Sequence, residues 1–169
     1  MTRSMTSDFS RAAAAAYRMR EEFPTPYLSF DVFLPISVLP GLYVCEYTTF
    51  CNLNHMTMER FLALAPSEDG FSFRRRDEYL IVYNSSPDIP ITRQRFTIAH
   101  ELGHYVLQHR SQTDMEEREA DCFARNLLAP RRLALKYSID FRDYPKVFGV
   151  SAAAARMCER FRTYDEQYI

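Results

Sequence analysis

His100-Glu101-Leu102-Gly103-His104 sets two imidazoles four positions apart, with a carboxylate directly after the first. On a helix, residues four apart stand on one face with Cβ atoms about 5–6 Å from each other. Two imidazoles so placed can each present a ring nitrogen to one divalent cation, at about 2.0–2.1 Å for zinc. Glu101 projects about 100° further round the helix, beside such a cation rather than onto it. There it can take a proton from water. The pattern predicts His100 and His104 as metal ligands and Glu101 as the general base of a zinc peptidase. The competing reading of the pentapeptide is a pair of hydrogen-bonded core histidines and a surface glutamate.

A tetrahedral hydrolytic site needs a third protein ligand and one open position. The run Glu116-Glu117-Arg118-Glu119-Ala120-Asp121 offers carboxylates 12 to 17 residues beyond His104. Glu117 and Asp121 share a helical face that Ala124 and Leu128 continue, so Glu117 is the expected third ligand. Asp121, one turn on, is expected to accept the second N–H of a ligating imidazole and fix its tautomer. Glu119 is the rival ligand, and Asp114-Met115-Glu116-Glu117 also fits a capping box in which Glu117 folds back to the helix start. A His/His/Glu set suits Zn2+ first and Mn2+ second. Tyr105 and His109 lie near enough in sequence to be candidate donors to a tetrahedral intermediate, with packing or support of a ligand as their alternative role. Cys122 and His55 read as structural residues.

The elements that must position these groups follow from pattern and punctuation. Residues 92–109 read as a helix covered on two faces, with Phe96, Ala99, Gly103, Val106 and Leu107 on one side and Ile98 and Leu102 on another. Residues 114–128 form a second helix stopped by Pro130, 132–137 a weak third, and 151–163 a last one preceded by Gly149. Toward the N-terminus, Ser7 caps an Ala-rich helix running to about residue 23, which Pro24-Thr25-Pro26 ends. The stretch 27–40, broken by Pro35 and Pro40, predicts short extended pieces. Residues 42–50, rich in Tyr, Val and Thr, predict a strand. A short helix capped by Thr57 covers 58–65, and 71–73 with 79–83 forms a hairpin around Arg74-Arg75-Arg76-Asp77-Glu78, read as a solvated tip. The run Tyr79, Leu80, Ile81, Val82, Tyr83 and Asn84 ends shortly before the metal helix. It is a candidate exposed strand for pairing with an extended substrate, the alternative being an interior strand. A short sheet followed by helices implies an α+β fold.

With 169 residues the chain is read as a single domain over 1–169, with an N-terminal helix within 1–27, the motif region at 79–130 and a C-terminal helix within 148–163. Lys and Arg number 21 against 22 Asp and Glu, for a net charge of -1. No global field draws such a chain to nucleic acid or to an anionic membrane, so neither is expected as a direct partner. Phe148-Gly149-Val150-Ser151 with Arg156 and Arg160 resembles the entry to a recognition helix, and a DNA-binding regulator is the alternative that the charge disfavours. Cys45, Cys51, Cys122 and Cys158 show no CxxC pairing, which fits reduced thiols in a cytoplasmic protein. The apolar run at 12–17 is too short for a secretory signal and is flanked by charge.

The chain resembles the ImmA/IrrE family of metallopeptidases in three linked features: the Arg-rich lead from Arg93 to Thr97, the His-Glu-Leu-Gly-His motif, and Glu117-Arg118-Glu119-Ala120-Asp121-Cys122-Phe123-Ala124 leading to Leu127-Leu128-Ala129-Pro130. The likeness runs over 79–130 and more weakly over 148–156; Ala129 stands where Met is common in the family, and the gap from His104 to Glu117 is short. The resemblance implies a cytoplasmic, zincin-like endopeptidase that cleaves a helix-turn-helix repressor encoded nearby, relieving repression of mobile-element or stress-response genes. Residues 1–27 are too few for a helix-turn-helix domain, so the repressor is expected as a separate protein. A repressor-binding antagonist that does not cut is the remaining alternative.

Overall fold

Asp8 opens the first helix, its carboxylate accepting the Arg11 N–H at 3.0 Å, and α1 (Phe9–Glu22) follows. The structure is a computed structural model that describes residues 8–111 and 113–167. Ser7, the cap expected from sequence, lies outside the described residues. Two expectations for the next stretch are corrected. Within 27–40 the chain forms α2 (Phe33–Val38) rather than extended pieces only. Pro35 falls in its first turn, where the missing N–H costs no intrahelical bond, and the Asp31 carboxylate accepts the Phe33 N–H at 2.9 Å. The strand expected over 42–50 stops early: β1 (Leu42–Glu46) gives way to α3 (Tyr47–Leu53). Tyr47 and Cys51, one helical turn apart, are both buried, and the Tyr47 hydroxyl donates to the Ser67 carbonyl at 2.7 Å. That tertiary anchoring outweighs the strand preference of Tyr and Thr.

Thr57 caps α4 (Met58–Leu64) as expected, and the hairpin forms as β2 (Gly70–Arg75) and β3 (Glu78–Tyr83). The three strands take the order β1-β3-β2. β1 runs parallel to β3, with Leu42 opposite Tyr79 and Glu46 opposite Tyr83. β2 runs antiparallel to it, with Gly70 opposite Tyr83. β3 is therefore the central strand. The segment Tyr79, Leu80, Ile81, Val82, Tyr83 and Asn84 cannot accept a substrate strand, because both of its edges are paired and the Asn84 N–H is bound to the Asp69 carbonyl at 2.8 Å. The edge beside the metal-motif helix is β2.

The second half holds α5 (Ile91–Val106), α6 (Asp114–Leu128) and α7 (Arg131–Lys136). A short 3-10 turn at Phe141–Asp143 leads into α8 (Tyr144–Phe148), which the sequence pattern did not suggest. α9 (Ala152–Arg160), capped by Ser151, and α10 (Arg162–Glu166) divide what was expected to be one helix. The fold is α+β. Its main core lies between α1, α5 and α6. Ala12, Ala13 and Ala16 let α1 lie close, and Ile98, Leu102, Phe123 and Leu127 are fully buried, each stabilising by about 1.5–3 kcal/mol relative to exposure. A smaller cluster of Tyr47, Cys51, Phe61 and Val82 fills the far side of the sheet. Among the described residues no helix is long and apolar enough to cross a membrane, and all four cysteines are free thiols.

Candidate metal centre

Two local features place α5 and α6 against each other. A Cβ on Gly103 would stand 3.0 Å from Phe123 Cδ1 and 3.3 Å from Ala120 Cα, so a residue without a side chain is what lets the helices approach at this level. The start of α6 is closed by a capping box between Thr113 and Glu116, each side chain accepting the other's backbone N–H. This is not the Asp114-to-Glu117 box that the sequence also allowed. With Glu116 committed to the cap, Glu117 faces α5 one turn before Asp121. On the sheet side, a Cβ at Gly70 would meet Thr97 Cγ2 at 2.5 Å, so the start of β2 lies directly against α5.

His100, His104 and Glu117 converge, each with a ligand atom within 4.8 Å of the others. The two Nε2 atoms are 3.0 Å apart. Glu117 puts one oxygen 3.2 Å from His100 Nε2 and the other 3.4 Å from His104 Nε2. Donors bound at about 2.0–2.1 Å to a tetrahedral cation stand about 3.3–3.4 Å from one another, so these separations fit such an ion. The Nδ1 sides point away from the convergence. His100 Nδ1 donates to Asp121 Oδ1 at 2.9 Å, and His104 Nδ1 lies 2.9 Å from His109 Nδ1. Two imidazole nitrogens and a carboxylate form a donor set for zinc or manganese, and the residues present fit a divalent ion.

The environment divides the two histidines. Burial, together with the neighbouring His100 and His109, pushes the His104 imidazole down to about 4, so it is neutral and able to ligate. Burial acts the same way on His100, but the Asp121 hydrogen bond and the surrounding carboxylates outweigh it and hold that imidazole above its ordinary value. Burial raises the Glu101 carboxyl, while the Ser72 hydrogen bond and His100 oppose the rise. Ser72 Oγ, from β2, donates to Glu101 Oε2 at 2.5 Å. It therefore takes its own hydrogen bond from the Tyr79 hydroxyl, 2.6 Å away. These groups line a cleft of about 950 Å³ whose walls are β2 on one side and α5 with Glu117 and Asp121 on the other.

The rival ligand Glu119 is turned away from the convergence: it accepts the Asp8 N–H at 2.6 Å and pairs with Arg11 at 3.2 Å. Tyr105 packs its ring against Tyr79, with centroids 5.2 Å apart. Buried Cys122 contacts the Phe9 carbonyl through its thiol, and His55 is exposed on the far loop. The Arg-rich lead is structural. Arg93 pairs with Asp69 at 2.7 Å, and Arg95 donates to the carbonyls of Phe30, Phe148 and Gly149, pinning α5 to the chain on either side. Sequence reasoning missed Ser72, whose only signal is its alternation with Phe71 and Phe73 on a strand.

The family model for the IrrE N-terminal-like domain, Peptidase_M78, matches residues 56–158, more than half of the chain, including all of β2, β3, α5 and α6. No curated protein matches the chain.

Proposed function

The chain belongs to the family of the IrrE N-terminal-like domain, Peptidase_M78, and from that membership we propose that it is a metal-dependent endopeptidase acting on an extended segment of a protein. The observation that carries this reading is the convergence of His100, His104 and Glu117 in a cleft where Glu101 reaches across to β2. His100, His104 and Glu117 would hold the ion, zinc by preference and manganese second. When bound, a divalent ion supplies Lewis-acid polarisation of the scissile carbonyl and activates water.

The remaining steps belong to the protein's own side chains. Among the described residues β2 pairs with β3 on one side only, so a substrate strand can add to its other edge by backbone hydrogen bonding and lie across the cleft. Glu101 takes the proton of the attacking water on its carboxylate and returns it to the leaving amine. The rise that burial causes in its carboxyl suits a group that must both accept and release a proton. Asp121 keeps the His100 proton on Nδ1 and its Nε2 free for ligation.

The substrate we assign is a helix-turn-helix repressor, present as a separate cytoplasmic protein, whose cleavage relieves repression of mobile-element or stress-response genes. That assignment follows the family resemblance. The near-zero net charge supports contact with the repressor rather than with its DNA. The test is to incubate metal-loaded protein with the product of a neighbouring repressor gene and measure intact masses. Two fragments are expected with the wild type. Glu101→Gln should retain the ion while turnover falls by about 10²–10⁴-fold. An intact repressor with every divalent ion tried overturns the assignment.

A further inference from the structure

Beyond the motif helix the chain doubles back. Gln108 has a left-handed φ of 57°, and the His109 N–H donates to the His104 carbonyl at 3.0 Å. This turn brings the His109 ring behind His104, with the two Nδ1 atoms 2.9 Å apart, while His109 Nε2 lies 3.1 Å from Glu119 Oε2. The His109 and Glu119 side chains are only 4% and 7% exposed, so no bulk water can substitute for either partner. Glu119 is in turn held by the Asp8 N–H and by Arg11.

We propose that Glu119 and His109 form a proton-ordered relay that presets His104 as a ligand, which makes both of them positioning residues for the ion. The relay presupposes that the convergence is a metal centre, as proposed above. A carboxylate can only accept, so His109 carries its proton on Nε2, and a neutral His109 then offers a lone pair at Nδ1. His104 must answer with Nδ1–H. That leaves its Nε2 lone pair aimed at the convergence with His100 Nε2 and Glu117. His100 achieves the same state through a direct bond to Asp121, a carboxylate 54% exposed. The His104 branch is longer, runs through two buried side chains and ends on the first residues of α1. The metal centre therefore receives one of its two imidazoles in a state set by the N-terminal helix.

The order of protons is directly readable. In metal-free wild-type protein labelled with 15N, long-range proton–nitrogen correlation spectra should show His104 protonated on Nδ1 and bare on Nε2, with His109 the reverse. Zinc affinity, measured by competition with a chromophoric chelator, should fall about 10–100-fold in His109→Leu, the usual cost of removing a ligand's hydrogen-bond partner. It should stay near wild type in His109→Gln, whose carboxamide oxygen can accept from His104 while its NH₂ donates to Glu119. A role in packing alone would not favour Gln over Leu. Spectra showing a proton on His104 Nε2, or a folded Leu variant that binds zinc as the wild type does, overturn the relay while leaving the metal centre standing. Wild-type protein that takes up no zinc overturns both. Should His109→Leu not fold, the wild-type spectra and the Gln variant still decide.

Discussion

Glu101 is held by a chain of hydroxyls from the sheet, Tyr79 to Ser72 to carboxylate, with steps of 2.6 and 2.5 Å. The Ser72 bond favours the ionised form of Glu101 and so opposes the rise that burial causes. In Ser72→Ala that opposing contribution disappears, and the carboxyl rises further. Catalysis in which Glu101 accepts a proton needs its carboxylate form, so the acidic limb of the pH profile of kcat/KM should move to higher pH in the variant. Zinc affinity should not change, because Ser72 touches none of the three converging donors. An unshifted limb would separate Ser72 from the chemistry. Ser72 also belongs to the strand proposed to receive substrate, so the same variant reports whether docking and proton transfer share a residue.

At the scale of elements, the site depends on how closely α6 approaches α5. Gly103 sits at that contact, against Phe123 and Ala120, both fully buried. Gly103→Val must displace α6 or strain the core, costing about 1–3 kcal/mol. The displacement carries Glu117 with it. Urea unfolding should show the lost stability, and dialysis against zinc should show loss of bound metal out of proportion to it; a destabilised variant with full zinc occupancy would uncouple the helix contact from the site. The helix pair was legible because both members carry local signals: apolar spacing around 96–107 and acids bunched ahead of the apolar stripe of 114–128. Their face-to-face placement was foreshadowed only by the chemistry of the three donors. α2 and α3 were not legible, because tertiary anchoring of Tyr47, Cys51 and Ile36 overrides local preference there. Strand order was not legible either, since the unbroken apolar run Tyr79–Tyr83 does not say which neighbours pair with it. For that reason the sequence leaves Tyr79–Asn84 as either an exposed substrate strand or an interior one, and the pairing on both sides of β3 shows it to be interior.

On the scale of the whole molecule, the convergence joins elements that are distant in sequence. His100 and His104 come from α5, Glu117 from α6, and through Glu119 the support of His104 reaches Asp8 and Arg11 at the start of α1. The bidentate pair of Arg125 with Asp165, at 2.9 and 2.8 Å, fastens the other end of α6 to α10, so the far end of the fold is held without a metal. An unfolded chain cannot assemble three ligands from two helices, and an ion that binds only the folded form must raise global stability by mass action. At free zinc of 100 times Kd the gain is about 2.7 kcal/mol. For a chain of this length each kcal/mol shifts Tm by about 2–4 °C, giving a rise of about 5–11 °C. Scanning calorimetry of chelator-stripped protein, with and without added zinc, should show that rise and its reversal by chelator. His100→Ala should lose most of the zinc-dependent part while keeping a cooperative transition, because the core between α1, α5 and α6 is apolar and does not require the ion. A transition indifferent to zinc would mean that the three donors meet only as a hydrogen-bonded cluster, and the peptidase chemistry built on them would have no centre.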